Sequence, residues 1–185
     1  MNFIDLISNY RGTATFSRTP VPERTIRRAV SATHANSGML KVKTISDSQA
    51  KTKIRCEAER IERAYLYGAG NGNFSEAGWR KPFLEEASHL VVFSSKMGQP
   101  YLAASTWLSV GNVIVAAASL GLGTICYAPT MPPLLRRPLD IPPGFMPIVI
   151  LTVGYPGEEL FADMWTDELN TICDLVRGRL YLRKK

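Results

Sequence analysis

The sequence holds only three cysteines, Cys56, Cys126 and Cys173, and two histidines, His34 and His89. An odd, widely spaced set of cysteines gives neither a disulfide framework nor a zinc spacing, and points to a reducing, cytoplasmic setting. Two histidines far apart in sequence give no metal centre, and no metal-binding residue is assigned. No basic segment followed by an apolar run opens the chain, so `MNFIDLISNYRG` does not read as a secretory signal. A glycine-rich phosphate loop and a Gly-x-Ser-x-Gly elbow are both missing, which removes the chemistry of nucleoside triphosphatases and of α/β hydrolases. Internal repeats are also absent.

Charge is missing over one long stretch. From Met97 to Leu135 there is no Asp, Glu, Lys or Arg, and `YLAASTWLSVGNVIVAAASL` has roughly the length that spans a bilayer. Its Ser105, Thr106, Ser109, Asn112 and Ser119 and its few large aliphatics favour a helix buried in a core or a subunit interface instead. The formal net charge is +6, with five basic residues concentrated in the C-terminal `RGRLYLRKK`. Such a tail reads as a solvated basic end at about residues 177–185 rather than a nucleic-acid site. Neither nucleic acid nor membrane is expected as a partner.

What is present suits one domain over 1–185. `FIDLISNY` predicts a short opening helix, and `PVPERTIRRAVSA` a second one that Thr19 would cap. `KVKTISD` predicts a half-buried strand. `DSQAKTKIRCEAERIERAYLY` predicts a long exposed helix capped by Asp47 or Ser48. A flexible glycine-rich loop follows, then a short helix in `KPFLEEA` and a strand in `HLVVFSS`. The uncharged helix ends at Gly121 and Gly123 before a strand in `TICYAP`. `MPPLLRRPLDIPPG` is a proline-punctuated connector. `FMPIVILTVGYP` is the most hydrophobic strand and is expected at the centre of the sheet. `TDELNTICDLV` predicts a closing helix with Thr166 as its cap. Four or so strands flanked by helices make an α+β domain.

In their order and spacing, `FSRTPVPERTI`, `KPFLEEA`, `AAASLGLGTICYAP` and `RRPLDIPPGFMPIVILTVGYP` resemble the FMN-dependent nitroreductase superfamily, and within it the iodotyrosine deiodinase-like branch. The resemblance runs from about Met1 to Pro156. It implies a nitroreductase-like α+β fold with a central mixed sheet, and a homodimer that holds FMN at the subunit interface. The uncharged helix, rich in Ala, Ser and Gly, suits close packing on a twofold mate; the core of a single protomer is the other reading.

Residue by residue, the cofactor segments are altered. The family opens with Arg-Arg-Ser-x-Arg, where this chain has Tyr10, Arg11, Gly12, Thr13 and Ala14. Arg11 then stands for the phosphate-binding guanidinium, with Gly12 beside it; the alternative for Arg11 is a plain surface arginine. The second segment is `ATHANSGML`, in which Thr33 keeps a hydroxyl, His34 replaces a glycine, and Ala35 and Asn36 match. His34 either enters the pocket or lies on the surface at a helix end. Before Pro129, deiodinase-like members place threonines beside the flavin; here stand Cys126, Tyr127 and Ala128, and Ala128 has no side-chain donor. A basic cluster expected after Gly-Tyr-Pro is replaced by the acidic `EELFADMWTDEL`.

The substrate-gripping residues are better kept. The resemblance places Lys81 opposite a substrate carboxylate and a Glu–Tyr pair opposite an ammonium. Glu62 with Tyr65 stands at i, i+3; the family pair is four apart, so Glu59 and Tyr67 remain alternatives. An ordinary solvated helix is the competing reading of this stretch, and the loop 68–73 suits a lid. The expected function is an FMN-dependent oxidoreductase that reduces a small nitro- or halo-aromatic substrate, or an aromatic amino acid, with electrons from NAD(P)H. No protein general acid is invoked, so no catalytic residue is assigned. The alternative is a non-catalytic module of the same fold that has lost FMN and binds a small ligand or a protein partner.

Overall fold

A computed structural model describes residue 4 and residues 12–33, 38–68, 79–98 and 101–157. The opening and closing helices and the basic tail expected from the sequence lie outside these residues. The described elements are, in order, α1 (Glu23–Val30), β1 (Leu40–Ile45), α2 (Ser48–Gly68), α3 (Phe83–Glu86), β2 (His89–Lys96), α4 (Tyr101–Ser119), β3 (Gly123–Tyr127), α5 (Pro132–Leu135) and β4 (Phe145–Gly154).

Local chemistry accounts for most of the boundaries. Helix α1 starts after Pro22, whose φ of −60° holds the chain ready for the first turn. Thr19 does not cap it, as the sequence suggested, because it lies short of the helix and pairs with the Ser17 hydroxyl instead. Asp47 does cap α2: its Oδ1 accepts the Ala50 N–H at 2.7 Å. Gly121, at φ +73°, supplies the left-handed turn that carries the chain from α4 into β3. One short helix, α5, forms inside the expected connector, with prolines in its first turn where a missing N–H costs nothing.

The strands lie in the order β1-β2-β4-β3, so the most hydrophobic strand is indeed interior. Every pairing among the described strands is antiparallel, which corrects the mixed sheet expected for this part of the fold. The β2–β4 register shifts between Phe93 and Ser94, opposite Pro147, a residue with no N–H to give to the ladder.

Both faces of the sheet are covered. Val91, Phe93, Val149, Leu151 and Val153 pack with residues of α1 and α4; Leu90, Val92 and Ile150 pack with residues of α2, α3 and α5. This explains why β4 reads as a nearly continuous apolar run. Each such side chain, fully buried, contributes about 1.5–3 kcal/mol.

Helix α4 has two distinct sides. Val110, Val113 and Ala117 are buried on the sheet side, while Tyr101 (62%), Trp107 (42%) and Leu108 (74%) are exposed. By length and composition the helix is apolar enough to cross a membrane, yet one of its sides is packed onto the sheet of this domain.

Candidate functional site

The segment before α1 is fixed against the end of β4. Ser17 donates its N–H to Tyr155 O at 2.9 Å, Gly157 donates to Thr15 O at 2.8 Å, and Phe16 bridges to Pro156. A Cβ on Gly123 would stand 2.8 Å from Thr13 Cγ2, and one on Gly154 would stand 2.7 Å from Phe16 Cδ1. Glycine at these two positions lets the segment that carries Gly12 approach this closely. Gly12 is half-buried, while Arg11, His34, Ala35 and Asn36 lie outside the described residues.

The other cofactor candidates are spread across the sheet. Gly12 belongs to the Gly123 end of β3, and Ala128 follows its opposite end, about 15 Å away at strand rise. Ala128 and its neighbour Cys126 are exposed. Thr33 stands where the chain leaves α1 towards β1, the opposite edge of the sheet, and its hydroxyl donates to Val30 O at 2.8 Å. A planar ring could lie against the small side chains Cys126 and Ala128.

Tyr127 points the other way. Its ring is buried in the α2–α3–α5 cluster, edge-on to Phe83 at 6.4 Å between centroids, and its hydroxyl donates to Glu62 Oε1 at 2.8 Å. Burial, then the adjacent carboxylate, pushes the phenol well above its ordinary value. As a cofactor contact, Tyr127 would have only its backbone to offer.

Glu62 is correspondingly occupied. Besides the Tyr127 hydroxyl, it accepts Thr130 N–H at 3.1 Å on Oε1 and the Thr130 hydroxyl at 2.6 Å on Oε2. It is 6% exposed, whereas Tyr65, its expected partner at i+3, is 51% exposed. The expected Glu62–Tyr65 clamp is thus divided between the interior and the surface. The dividing cause is Thr130, whose two donors draw Glu62 inward.

Lys81 keeps a place near both acids. Its backbone N–H donates to Glu59 Oε1 at 2.9 Å. Partial burial lowers the ammonium's pKa, against the opposing pull of Glu62 and then Glu59. Glu59 is buried and shares its other oxygen, at 2.9 Å, with Arg55, which also reaches Glu85. Sequence reading weighed Glu59 only as an alternative for the clamp. It missed Thr130 because its bonds to Glu62 cross 68 residues and leave no spacing to read, whereas Arg55 and Glu59 stand at i, i+4, a spacing that the sequence does show. Among the described residues no group of His, Cys, Asp and Glu could hold a metal ion.

The Nitroreductase family pattern matches residues 11–155. This chain belongs to the nitroreductase family. Among the relatives of this family member is an iodotyrosine deiodinase from Thermotoga neapolitana, 34% identical over 120 residues, 62% of this chain and 64% of that protein. The chain thus matches just under two-thirds of that relative's length. An iodotyrosine deiodinase from Haliscomenobacter hydrossis is 28% identical over 177 residues, 84% of this chain and 80% of that one. Among solved structures, an oxidized iodotyrosine deiodinase bound to FMN and 3-iodo-L-tyrosine superposes with a TM-score of 0.74. It is 26% identical, and the match covers 85% of this nitroreductase-family chain and 91% of the other.

Proposed function

We propose that this chain is an FMN-dependent oxidoreductase that works as a homodimer and reduces a small nitro- or halo-aromatic substrate with electrons from NAD(P)H. The observation that carries this reading is the likeness, over most of both chains, to a deiodinase that binds FMN and an iodinated aromatic amino acid. Bound FMN would supply hydride and single-electron transfer, and the protein's share is binding, orientation and exclusion of water.

The exposed, uncharged side of α4 supports the dimer. Gly12 and Ala128 lie at opposite ends of one edge strand, and Thr33 leads to the other edge. A twofold mate packed on the exposed, uncharged side of α4 would provide a second wall for the Cys126–Ala128 edge. Exposure of Tyr101, Trp107 and Leu108 on one helix suits that surface. In this arrangement Arg11 meets the phosphate, and Gly12 admits its close approach. Thr33 and the 34–36 backbone border the flavin, together with the backbone of Tyr127 and the small side chain of Ala128.

Lys81 would meet a carboxylate of the substrate, with Tyr65 available from the surface of α2. Glu62 acts one step back, holding α2 to the turn after β3. Its occupied oxygens make a free ammonium a weak requirement here, which favours an aromatic substrate without one over an aromatic amino acid.

The test is the visible spectrum of the purified protein after FMN is added and unbound flavin removed by gel filtration. Flavin retained at one per chain on a dimer supports the reading, and turnover of nitro- and halo-aromatics with NADH or NADPH then assigns donor and substrate. A colourless monomer overturns it. The altered phosphate segment and the donor-less Ala128 would then leave the second reading, a small-ligand or partner-binding module that has lost FMN.

A further inference from the structure

Helix α1 buries one side and charges the other. Ile26 and Ala29 are buried in the core with residues of the sheet and α4, while Arg24, Arg27 and Arg28 are exposed. The three arginines stand at i, i+3 and i+4, so they share the outer face of the helix. Like charges at these spacings repel and disfavour the helix that carries them. Arg27 and Arg28 lie in the last turn, where cations complement the helix dipole. Arg24 follows Glu23 in the first turn, where a cation opposes it. Helix stability therefore does not account for the stripe.

Nor is the stripe neutralised within the fold. Glu23, the one acid of the helix, turns its two oxygens to Arg27 at 3.5 Å and to the buried His89 at 3.2 Å. Arg24 and Arg28 make no side-chain ion pair or hydrogen bond among the described residues. Arg18, exposed ahead of the helix, adds a fourth positive charge.

The same surface lacks what other anionic partners need. A lipid surface takes up the apolar side of a basic helix, and here that side is committed to the core. Single-stranded nucleic acid stacks its bases on aromatic side chains, and residues 12–30 expose none. A protein partner needs only carboxylates at a matching rise. Acidic side chains at i, i+3 and i+4 of a second helix repeat the arginine spacing, about 4.5 and 6 Å along the axis. Each arginine offers such a carboxylate a planar fork of donors.

We propose that the outer face of α1 docks an acidic helical segment of a partner protein, its carboxylates meeting Arg24, Arg27 and Arg28. The helix has eight residues, about 12 Å of axis, so the contact is small, transient and steered by charge rather than by apolar burial. None of these arginines is a cofactor or substrate candidate, so the proposal stands apart from the flavin reading.

The test uses the full-length protein, with and without added FMN. The probe is a fluorescein-labelled, alanine-rich peptide of about 20 residues, long enough for a helix, with Glu at i, i+3, i+4 and i+7. Its analogue carries Gln at those positions. By fluorescence anisotropy at low salt, the Glu peptide is expected to bind at least about tenfold more tightly than the Gln peptide, and to lose that preference at about 1 M salt. The double variant Arg24→Gln, Arg28→Gln is expected to weaken it about tenfold or more. Lys41→Gln with Lys96→Gln removes the same charge from exposed positions on β1 and β2, and is expected to leave the affinity within about twofold. In the unmodified chain, the Glu peptide is expected to slow phenylglyoxal modification of Arg24 and Arg28 at least severalfold, read by peptide mass mapping, without slowing that of the exposed Arg137.

Equal losses in the two double variants would assign binding to net charge alone and overturn the proposal. Equal affinity for the two peptides, or modification of Arg24 and Arg28 indifferent to the Glu peptide, also overturns it. Tighter binding of a DNA duplex or of phosphatidylserine vesicles, lost in the Arg24, Arg28 variant, replaces it with a nucleic-acid or membrane surface. Should a variant fail to fold, the peptide preference and the arginine modification of the unmodified chain still decide. A protein that takes up no FMN but keeps the arginine-dependent preference loses only the flavin reading.

Discussion

Glu62 and Tyr127 meet in the interior, 65 residues apart in sequence and 2.8 Å apart in space, and this bond ties α2 to the last residue of β3. Removing the hydroxyl with Tyr127→Phe leaves Glu62 its two Thr130 donors. The expected loss is about 1.5–3 kcal/mol, the usual range for a hydrogen bond to a charged group. The pH dependence is sharper. The folded phenol titrates above its ordinary value of 10.0. The unfolded chain thus releases this proton first, and the stabilisation is whole below pH 10 and shrinks as pH rises beyond it. Urea denaturation of wild type and Tyr127→Phe between pH 8 and 11 should show a stability gap that narrows above pH 10. A gap independent of pH would mean that the hydroxyl is not held by the carboxylate.

Lys51 makes the opposite alkaline signature. Its buried ammonium donates to Ala87 O at 2.6 Å and to Ser88 O at 3.4 Å, where the chain turns from α3 into β2. Burial lowers its pKa from 10.5, more than Glu85 and Asp47 raise it. In the window between the lowered value and 10.5 the unfolded chain binds more protons, so this group's contribution to stability rises with pH there. Lys51→Met should cost about 1–3 kcal/mol at pH 7 by leaving Ala87 O without its donor. Its deficit relative to wild type should widen towards pH 10. Chemical denaturation of both proteins at pH 7, 9 and 10 checks the slope.

Ser88 and His89 anchor the start of α1. Ser88 Oγ accepts the Val21 N–H at 2.9 Å and is hydrogen-bonded with His89 Nδ1 at 3.0 Å. The other ring nitrogen, Nε2, faces Glu23 at 3.2 Å. Glu23 is half exposed, so Glu23→Ala should cost less than about 1 kcal/mol. Ser88→Ala strands a partly buried backbone N–H and should cost about 1–3 kcal/mol. Thermal melts that rank the two substitutions the other way would contradict the weight given to the Val21–Ser88 bond.

Gly154 tests the link between packing and the proposed flavin site. A methyl group there would stand 2.7 Å from Phe16 Cδ1 and 3.3 Å from Ser88 N, so Gly154→Ala must push Phe16 and the Gly12–Ser17 segment outward. Overpacking of this kind costs typically about 1–3 kcal/mol. If Gly12 borders the FMN phosphate, the same substitution should weaken FMN retention at least about tenfold, measured by flavin fluorescence at a temperature where circular dichroism shows the fold intact. Undiminished flavin binding would detach this segment from the site.

Local sequence rules carried the fold a long way. The Asp47 cap, the turn glycine at 121 and the apolar run of β4 each announce themselves within a few residues. Pairing direction does not, because it depends on which strands become neighbours: β4 inserts between β2 and β3, an order that no local pattern records. The site was legible in the same uneven way. Lys81 stands in a segment that matches the family pattern, and Gly12 in one that departs from it. Glu62 suited an ammonium by residue type and helical spacing, yet Thr130 and Tyr127 take its oxygens, both from beyond β2 and α4. Arg55 stands at i, i+4 from Glu59, a legible helical spacing, but its reach to Glu85, 30 residues on, was hidden for the same reason.

Leu108 decides between the two readings of the uncharged helix. In the isolated chain its side chain is 74% exposed, and a charge placed there should change stability by no more than about 0.5 kcal/mol, as at other surface positions. At the centre of a twofold interface the same charge would meet its copy in an apolar, desolvated contact and separate the subunits. Leu108→Asp is therefore expected to shift the protein from dimer to monomer in sedimentation, and to release flavin, because the Cys126–Ala128 edge loses its second wall. A variant that stays dimeric and yellow would place the subunit contact on another surface. A wild-type chain already monomeric would show that the exposed side of α4 serves something other than a second copy.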